Sequence, residues 1–282
     1  MIYLNLRGQG LPCPGEERAI KAVLFDKDGT MSHSEPMLTA LAESRILHCL
    51  EQTVGSSAPG RSEELKDLLH RAYGLIPNHG LHPAGLTAVA AKDHKLISTA
   101  TALTQVGLGW PEALTIAEKV FAITDRLHAE ELIPKPEPTE GLIKLLQELR
   151  SHDVLCAVIS NDHEQGIQAF LDQHELRPLF QGLWSADHSP RKPDPGAVHG
   201  LCQDLGVSPS ECALIGDANS DLSMARAADV GVILGYSSGW RRPLDLDPSF
   251  PHLKHWDELS LTPCPEACSP NGSVSIGTSQ DA

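Results

Sequence analysis

Residues 22–25 read Ala-Val-Leu-Phe and stop abruptly at Asp26-Lys27-Asp28-Gly29-Thr30. A short run that is apolar at every position and closed by a glycine turn predicts a strand buried on both faces, as strands of parallel sheets are. The same design recurs from residue 139 onward. Helical spacing over 139–152, 164–174, 195–205 and 220–228 alternates with apolar runs at 154–159, 182–185, 213–215 and 230–234. That rhythm predicts an α/β fold with a doubly wound parallel sheet, to which the 22–25 strand belongs.

Between these two parts the pattern changes. Residues 36–51, 62–73 and 111–131 carry helical apolar spacing, and the segments around 74–86 and 107–110 hold Gly and Pro that mark connections. The block reads as all-helical, and Pro134-Lys135-Pro136-Glu137-Pro138 closes it as a stiff linker. With 282 residues the chain has room for one α/β domain and a second, smaller one.

The formal charge of −15 argues against nucleic acid as a partner, because binding a phosphate backbone needs a basic surface. No run of about 18 apolar residues is present, so no membrane helix is expected, and residues 1–10 lack a signal-peptide pattern. The seven scattered cysteines fit reduced thiols and a cytoplasmic setting. Cys264 and Cys268 form a close pair in a Pro/Ser/Gly-rich tail. Two ligands fall short of the four a structural zinc site needs, so they read as plain thiols.

Polar residues follow the strands at Asp26, Ser160 and Asp217, where an open α/β sheet binds ligands. Asp26 and Asp28, two residues apart beyond a buried strand, are costly if both ionise uncompensated; a hard divalent cation such as Mg²⁺ removes that cost. Asp217 ends the second acidic strand, and Asp221 falls in the first turn of the helix that follows, placed to support a metal ligand. Ser160 and Asn161 end a third strand, where a hydroxyl and an amide can hold a phosphoryl oxygen; the same residues are also ordinary helix caps. In Arg191-Lys192-Pro193-Asp194-Pro195 the prolines restrict the backbone after Lys192 and favour a presented cation, able to offset charge on a phosphate and on Asp26.

FDKDGT, VISN, RKPDP and GDANSD, in that order and spacing, resemble the four motifs of the haloacid dehalogenase superfamily, and the match spans about residues 20–240. The helical block resembles that superfamily's α-helical cap, as in phosphoglycolate phosphatase-like enzymes. The resemblance implies a Rossmannoid core of residues 1–31 and 135–260 and a cap of residues 32–134; the Ser/Gly/Pro-rich composition beyond them predicts a disordered tail at 261–282. It implies Asp26 as nucleophile and Mg²⁺ ligand. Asp28 would be general acid and then base, with its backbone carbonyl on the metal. Ser160 would bind phosphate, Lys192 would balance charge, and Asp217 and Asp221 would hold Mg²⁺. A small phosphorylated metabolite is the substrate so implied, hydrolysed through an aspartyl-phosphate. His33 departs from the pattern, since family members with this cap often carry an acid there.

Other reactions of the superfamily divide on single residues. A dehalogenase should lack the acid at Asp28. A P-type ATPase carries Thr there and needs membrane spans. A phosphonatase needs a cap lysine that forms a Schiff base, for which Lys92 and Lys95 are the available residues. A phosphosugar mutase keeps both Asp26 and Asp28 and the same cap type, and a catalytically silent module on this fold is the reading from another class.

Overall fold

The computed structural model describes residues 2–11, 19–53, 61–130 and 133–263. Its centre is a six-stranded sheet in the order His252–Leu253, Val232–Tyr236, Cys212–Gly216, Ala22–Phe25, Leu155–Ile159, Gly182–Trp184. Every adjacent pair runs parallel.

The period of two along each strand explains why the runs are apolar throughout. Val23 and Phe25 join Val158, Ile215 and Leu234 in a cluster completed by the helices Leu142–Ser151 and Glu164–Gln173. Ala22 and Leu24 join Ala157, Ile159 and Leu214 in a second cluster, beneath the helices Pro195–Leu205 and Asn219–Ala227. Both faces are covered, so neither can be polar. From the central Ala22–Phe25 strand the chain winds outward to one side through residues 155–159 and 182–184. It then crosses back to build the other side from residues 212–216 and 232–236. The reversal leaves a crevice beyond the carboxyl ends of the central strands.

Residues 35–129 form the helices Glu35–Thr53, Arg61–Tyr73, Leu86–Val89, Lys92–Gln105 and Trp110–Ala129, around an apolar cluster of their own. The expectation of an all-helical block needs one correction: Leu75–Ile76 pairs with Gly80–Leu81 in a short hairpin. Asn78 at φ 61° and Gly80 at φ 73° adopt the left-handed conformations that let so short a loop reverse. Where the chain leaves and re-enters the sheet domain, Ser32–His33 pairs with Glu137–Pro138, and His33 is exposed on that two-residue ribbon.

A second sheet orders Leu259–Pro263, Ile2–Leu6 and Gln9–Gly10 antiparallel. Ile2, Leu4 and Leu259 pack into the cluster containing Val23 and Phe25. The core therefore runs past residue 260, and residues 261–263, expected to open the tail, are strand. Cys264 and Cys268 lie outside the described residues.

Candidate active site

Asp26 is the first residue past the central strand, and its backbone N–H still donates to Ile215 at 2.9 Å. Asp217 follows the neighbouring strand in the same way. Asp221 comes from the first turn of the Asn219–Ala227 helix and packs over Gly216, where an added Cβ would lie 2.7 Å from its Oδ2. These three carboxylates are buried, and each offers an oxygen within 4.8 Å of the others.

Lys192 is buried among them. Its Nζ lies 2.6 Å from Asp26 Oδ1 and 2.9 Å from Asp221 Oδ1, and it donates to the Ile159 carbonyl at 3.3 Å. The loop that carries it ends in Asp194, which caps the Pro195–Leu205 helix by accepting the Gly196 N–H at 2.7 Å. The ammonium is thus presented from a fixed turn.

Three carboxylates against one ammonium leave two negative charges in a buried space. Burial pushes Asp26 up to about 6 despite Lys192, with the charges of Asp221 and Asp28 adding to the rise. Burial and the Asp26 and Asp221 charges hold Asp217 well above the carboxylate range. An all-oxygen donor set with two uncompensated charges fits a hard divalent cation. Asp217 is steered by two donors, the indole N–H of Trp240 to Oδ2 and the Thr30 hydroxyl to Oδ1 at 3.3 Å.

Asp28 faces elsewhere. Its Oδ1 lies 2.7 Å from Lys27 Nζ and accepts the Ser34 hydroxyl, and its carboxylate stands outside the three-acid group. Any metal contact from Asp28 would come from its backbone. Burial raises its pKa, but the Lys27 charge and the hydrogen bonds from Lys27 and Ser34 outweigh that and hold it below the ordinary range. Lys27 is itself buried and bridges Asp28 to Asp162, 3.1 Å away. Sequence reasoning assigned Lys27 no role; a lone cation between two acids, Asp26 and Asp28, was the available signal.

Ser160 is buried at the end of its strand, its hydroxyl accepting the Asp162 N–H at 3.2 Å. The side chain of Asn161 reaches across to the helical unit and donates to the Val89 carbonyl at 3.1 Å, while its buried Oδ1 has no hydrogen-bond partner. Asn161 thus joins the two parts of the molecule. Arg191, unassigned from sequence, does the same through Asp93, with Nη2 to Oδ2 at 2.7 Å. Trp240 was missed as well: it lies in a loop 23 residues past Asp217 and belongs to the apolar cluster of the helical unit while bonding Asp217.

A cavity of about 690 Å³ lies between the sheet edge and the helical unit and reaches from Asp26, Asp28, Ser160 and Lys192 to residues of the helical wall.

A model of the haloacid dehalogenase-like hydrolase family matches residues 20–229. A phosphoglycolate phosphatase from Pseudomonas putida is 27% identical over 231 residues, covering 80% of this chain and 74% of its own. One from Pseudomonas syringae pv. tomato is 30% identical over 238 residues, covering 79% and 72%. Among solved structures, that of a predicted phosphoglycolate phosphatase from Haemophilus somnus shares the fold, with a TM-score of 0.60 at 19% identity over 84% of this chain and 95% of its own.

Proposed function

Because the chain belongs to the haloacid dehalogenase-like hydrolases and is a phosphatase among them, we propose that it cleaves a small phosphorylated metabolite through an aspartyl-phosphate on Asp26, with Mg²⁺ as cofactor. The observation that carries this reading is the meeting of Asp26, Asp217 and Asp221 around the buried Lys192 ammonium at the carboxyl edge of the sheet.

Asp26 presents a carboxylate oxygen to the phosphorus; as the new P–O bond forms, the bond to the leaving alkoxide breaks. Asp28 gives that alkoxide its proton. The anionic state that Lys27 and Ser34 favour suits the second half-reaction, in which Asp28 takes a proton from water. The resulting hydroxide attacks phosphorus and the acyl–phosphate bond breaks, restoring Asp26 and releasing phosphate. For the first half-reaction Asp28 must be protonated, and a phosphate dianion placed beside it favours that form by like-charge repulsion. Lys192 balances charge on Asp26 and on the transferred group, and Ser160 offers a hydroxyl to a phosphoryl oxygen. Asp26, Asp217 and Asp221, with the Asp28 backbone carbonyl, would hold the cation, whose charge offsets that of the phosphoryl oxygens.

Residues 32–134 act in this reading as a cap over the site, which excludes bulk water and macromolecules. Phosphoglycolate, the substrate in the relatives' names, is the first candidate. The test is turnover of p-nitrophenyl phosphate. Mg²⁺ should support it, EDTA should abolish it, and Asp26→Asn should show none; turnover that survives in Asp26→Asn would remove Asp26 from the nucleophile's place.

A further inference from the structure

A second cavity, of about 500 Å³, lies beside the loop that follows the Val232–Tyr236 strand and shares no lining residue with the catalytic one. Its wall carries Arg7, Arg241, Arg242 and Lys254 and, among the described residues, no carboxylate, in a chain whose formal charge is −15. Arg7 is paired with Glu258 at 2.6 Å. Asp245 and Asp247 belong to the same loop but stay off the wall, and Asp247 Oδ1 accepts the Ser249 N–H at 2.9 Å. Arg241, Arg242 and Lys254 have no ion pair among the described residues. Three cations therefore share one concavity with nothing in it to offset them.

Two features separate these cations from charges scattered over a surface. The first is that their backbone is tied down on several sides. The Trp240 indole bonds Asp217, and Gly239 meets the Gly29 carbonyl with no room for a Cβ. The Arg241 N–H donates to Glu35 Oε2 at 2.8 Å, which fastens the loop to the helical unit. The Lys254 N–H donates at 3.0 Å to Glu258, the same carboxylate that holds Arg7. The chain thus cannot relieve the mutual repulsion by moving its backbone apart. The second feature is the rest of the wall, where Leu244 and the buried Leu246 supply apolar surface. A concave wall of low polarity focuses the field of the cations and concentrates anions within it.

We infer that Arg241, Arg242 and Lys254 form an anion-binding site separate from the catalytic cavity, and that its ligand is a small molecule bearing a diphosphate group. Adjacent arginines offer planar forks to phosphate oxygens, and Lys254 adds a compact charge. Three unoffset cations call for a multiply charged group rather than a single carboxylate, while Leu244 and Leu246 provide a surface for an organic body. Trp240 lines this cavity and bonds Asp217, so the ligand sits one side chain away from the acids of the catalytic site. The inference does not rest on the phosphatase reading.

The experiment is calorimetric titration of the full chain with pyrophosphate and with orthophosphate, in EDTA. Without metal, the three catalytic carboxylates around Lys192 repel both probes, and no turnover is read. Wild type should take up one pyrophosphate per chain, about tenfold or more tighter than orthophosphate. That affinity should fall about tenfold in Arg242→Gln and in Lys254→Gln. Arg241 and Lys254 are exposed, so Arg241→Gln and Lys254→Gln decide the matter if Arg242→Gln does not fold. Lys95→Gln, which removes a cation from the wall of the catalytic cavity, should leave the affinity unchanged. No saturable binding by wild type, an affinity kept in Arg241→Gln and Lys254→Gln, or one lost in Lys95→Gln overturns the site. Failure of the phosphatase reading would show separately, as absent hydrolysis of p-nitrophenyl phosphate with Mg²⁺.

Discussion

Asp26→Asn should make the metal-free protein more stable while destroying its chemistry. Burial, opposed by Lys192 and reinforced by Asp221 and Asp28, lifts the Asp26 carboxyl from 3.8 to about 6. At about 1.4 kcal/mol for each tenfold change in proton affinity, holding Asp26 ionised in the fold costs about 3 kcal/mol relative to the unfolded chain. Folding takes up a proton in this window. The group's stabilising contribution is complete below pH 3.8, declines as pH rises, and is lost above about pH 6. The asparagine keeps an oxygen for Lys192 Nζ, now 2.6 Å from Asp26 Oδ1, and Lys192 keeps Asp221 at 2.9 Å. Removing the Asp26 charge also relieves Asp217, whose elevation it feeds. Urea unfolding in EDTA at about pH 7.5 should therefore show Asp26→Asn more stable than wild type by about 3 kcal/mol, the gap closing as pH falls toward about 4. A variant no more stable at the higher pH, or a gap that does not shrink with acid, would refute the account of a carboxylate destabilised by burial.

Two further outcomes follow from the geometry. Gly29 has φ 81°, and a Cβ there would lie 2.1 Å from Trp240 Nε1 and 2.5 Å from Asp217 Oδ2; Gly29→Ala should lose about 2–4 kcal/mol of stability by denaturant unfolding. Trp240→Phe keeps an aromatic side chain but removes the donor to Asp217, and Mg²⁺ binding by calorimetry should weaken roughly 10- to 100-fold, an unchanged affinity counting against its role.

The strands that carry Asp26, Ser160 and Asp217 were legible because a doubly covered sheet needs apolar residues at every position. An acid or hydroxyl directly after such a run falls at the carboxyl edge of the sheet, where ligands bind. Lys192 was legible for a related reason, since the prolines beside it fix its backbone. Lys27 and Trp240 were not. Their partners Asp162 and Asp217 lie far along the chain, and nothing local separates a buried bridging lysine from a solvated one. The same holds for the Leu259–Pro263 strand. It reads as the start of a polar tail because its pairing partner is Ile2–Leu6, with Asn5 Nδ2 donating to Thr262 Oγ1 at 2.5 Å from the opposite end of the sequence. Arg45, on the ordinary-looking Glu35–Thr53 helix, showed its unusual burial only once Phe121 and Asp125 were packed against it.

The order of the sheet also fixes an order of events. The Ala22–Phe25 strand is synthesised well before its two flanking strands, residues 155–159 and 212–216. Helical contacts within residues 35–129 close over short loops and form quickly, whereas pairing the central strand must wait for loop closures of far greater span. A growing chain therefore passes through a stage in which the helices can collapse while the apolar run ahead of Asp26 has no neighbour to cover it. That stage is the one most exposed to aggregation. The nucleophile enters its working environment only when Lys192, Asp217 and Asp221 have all been made.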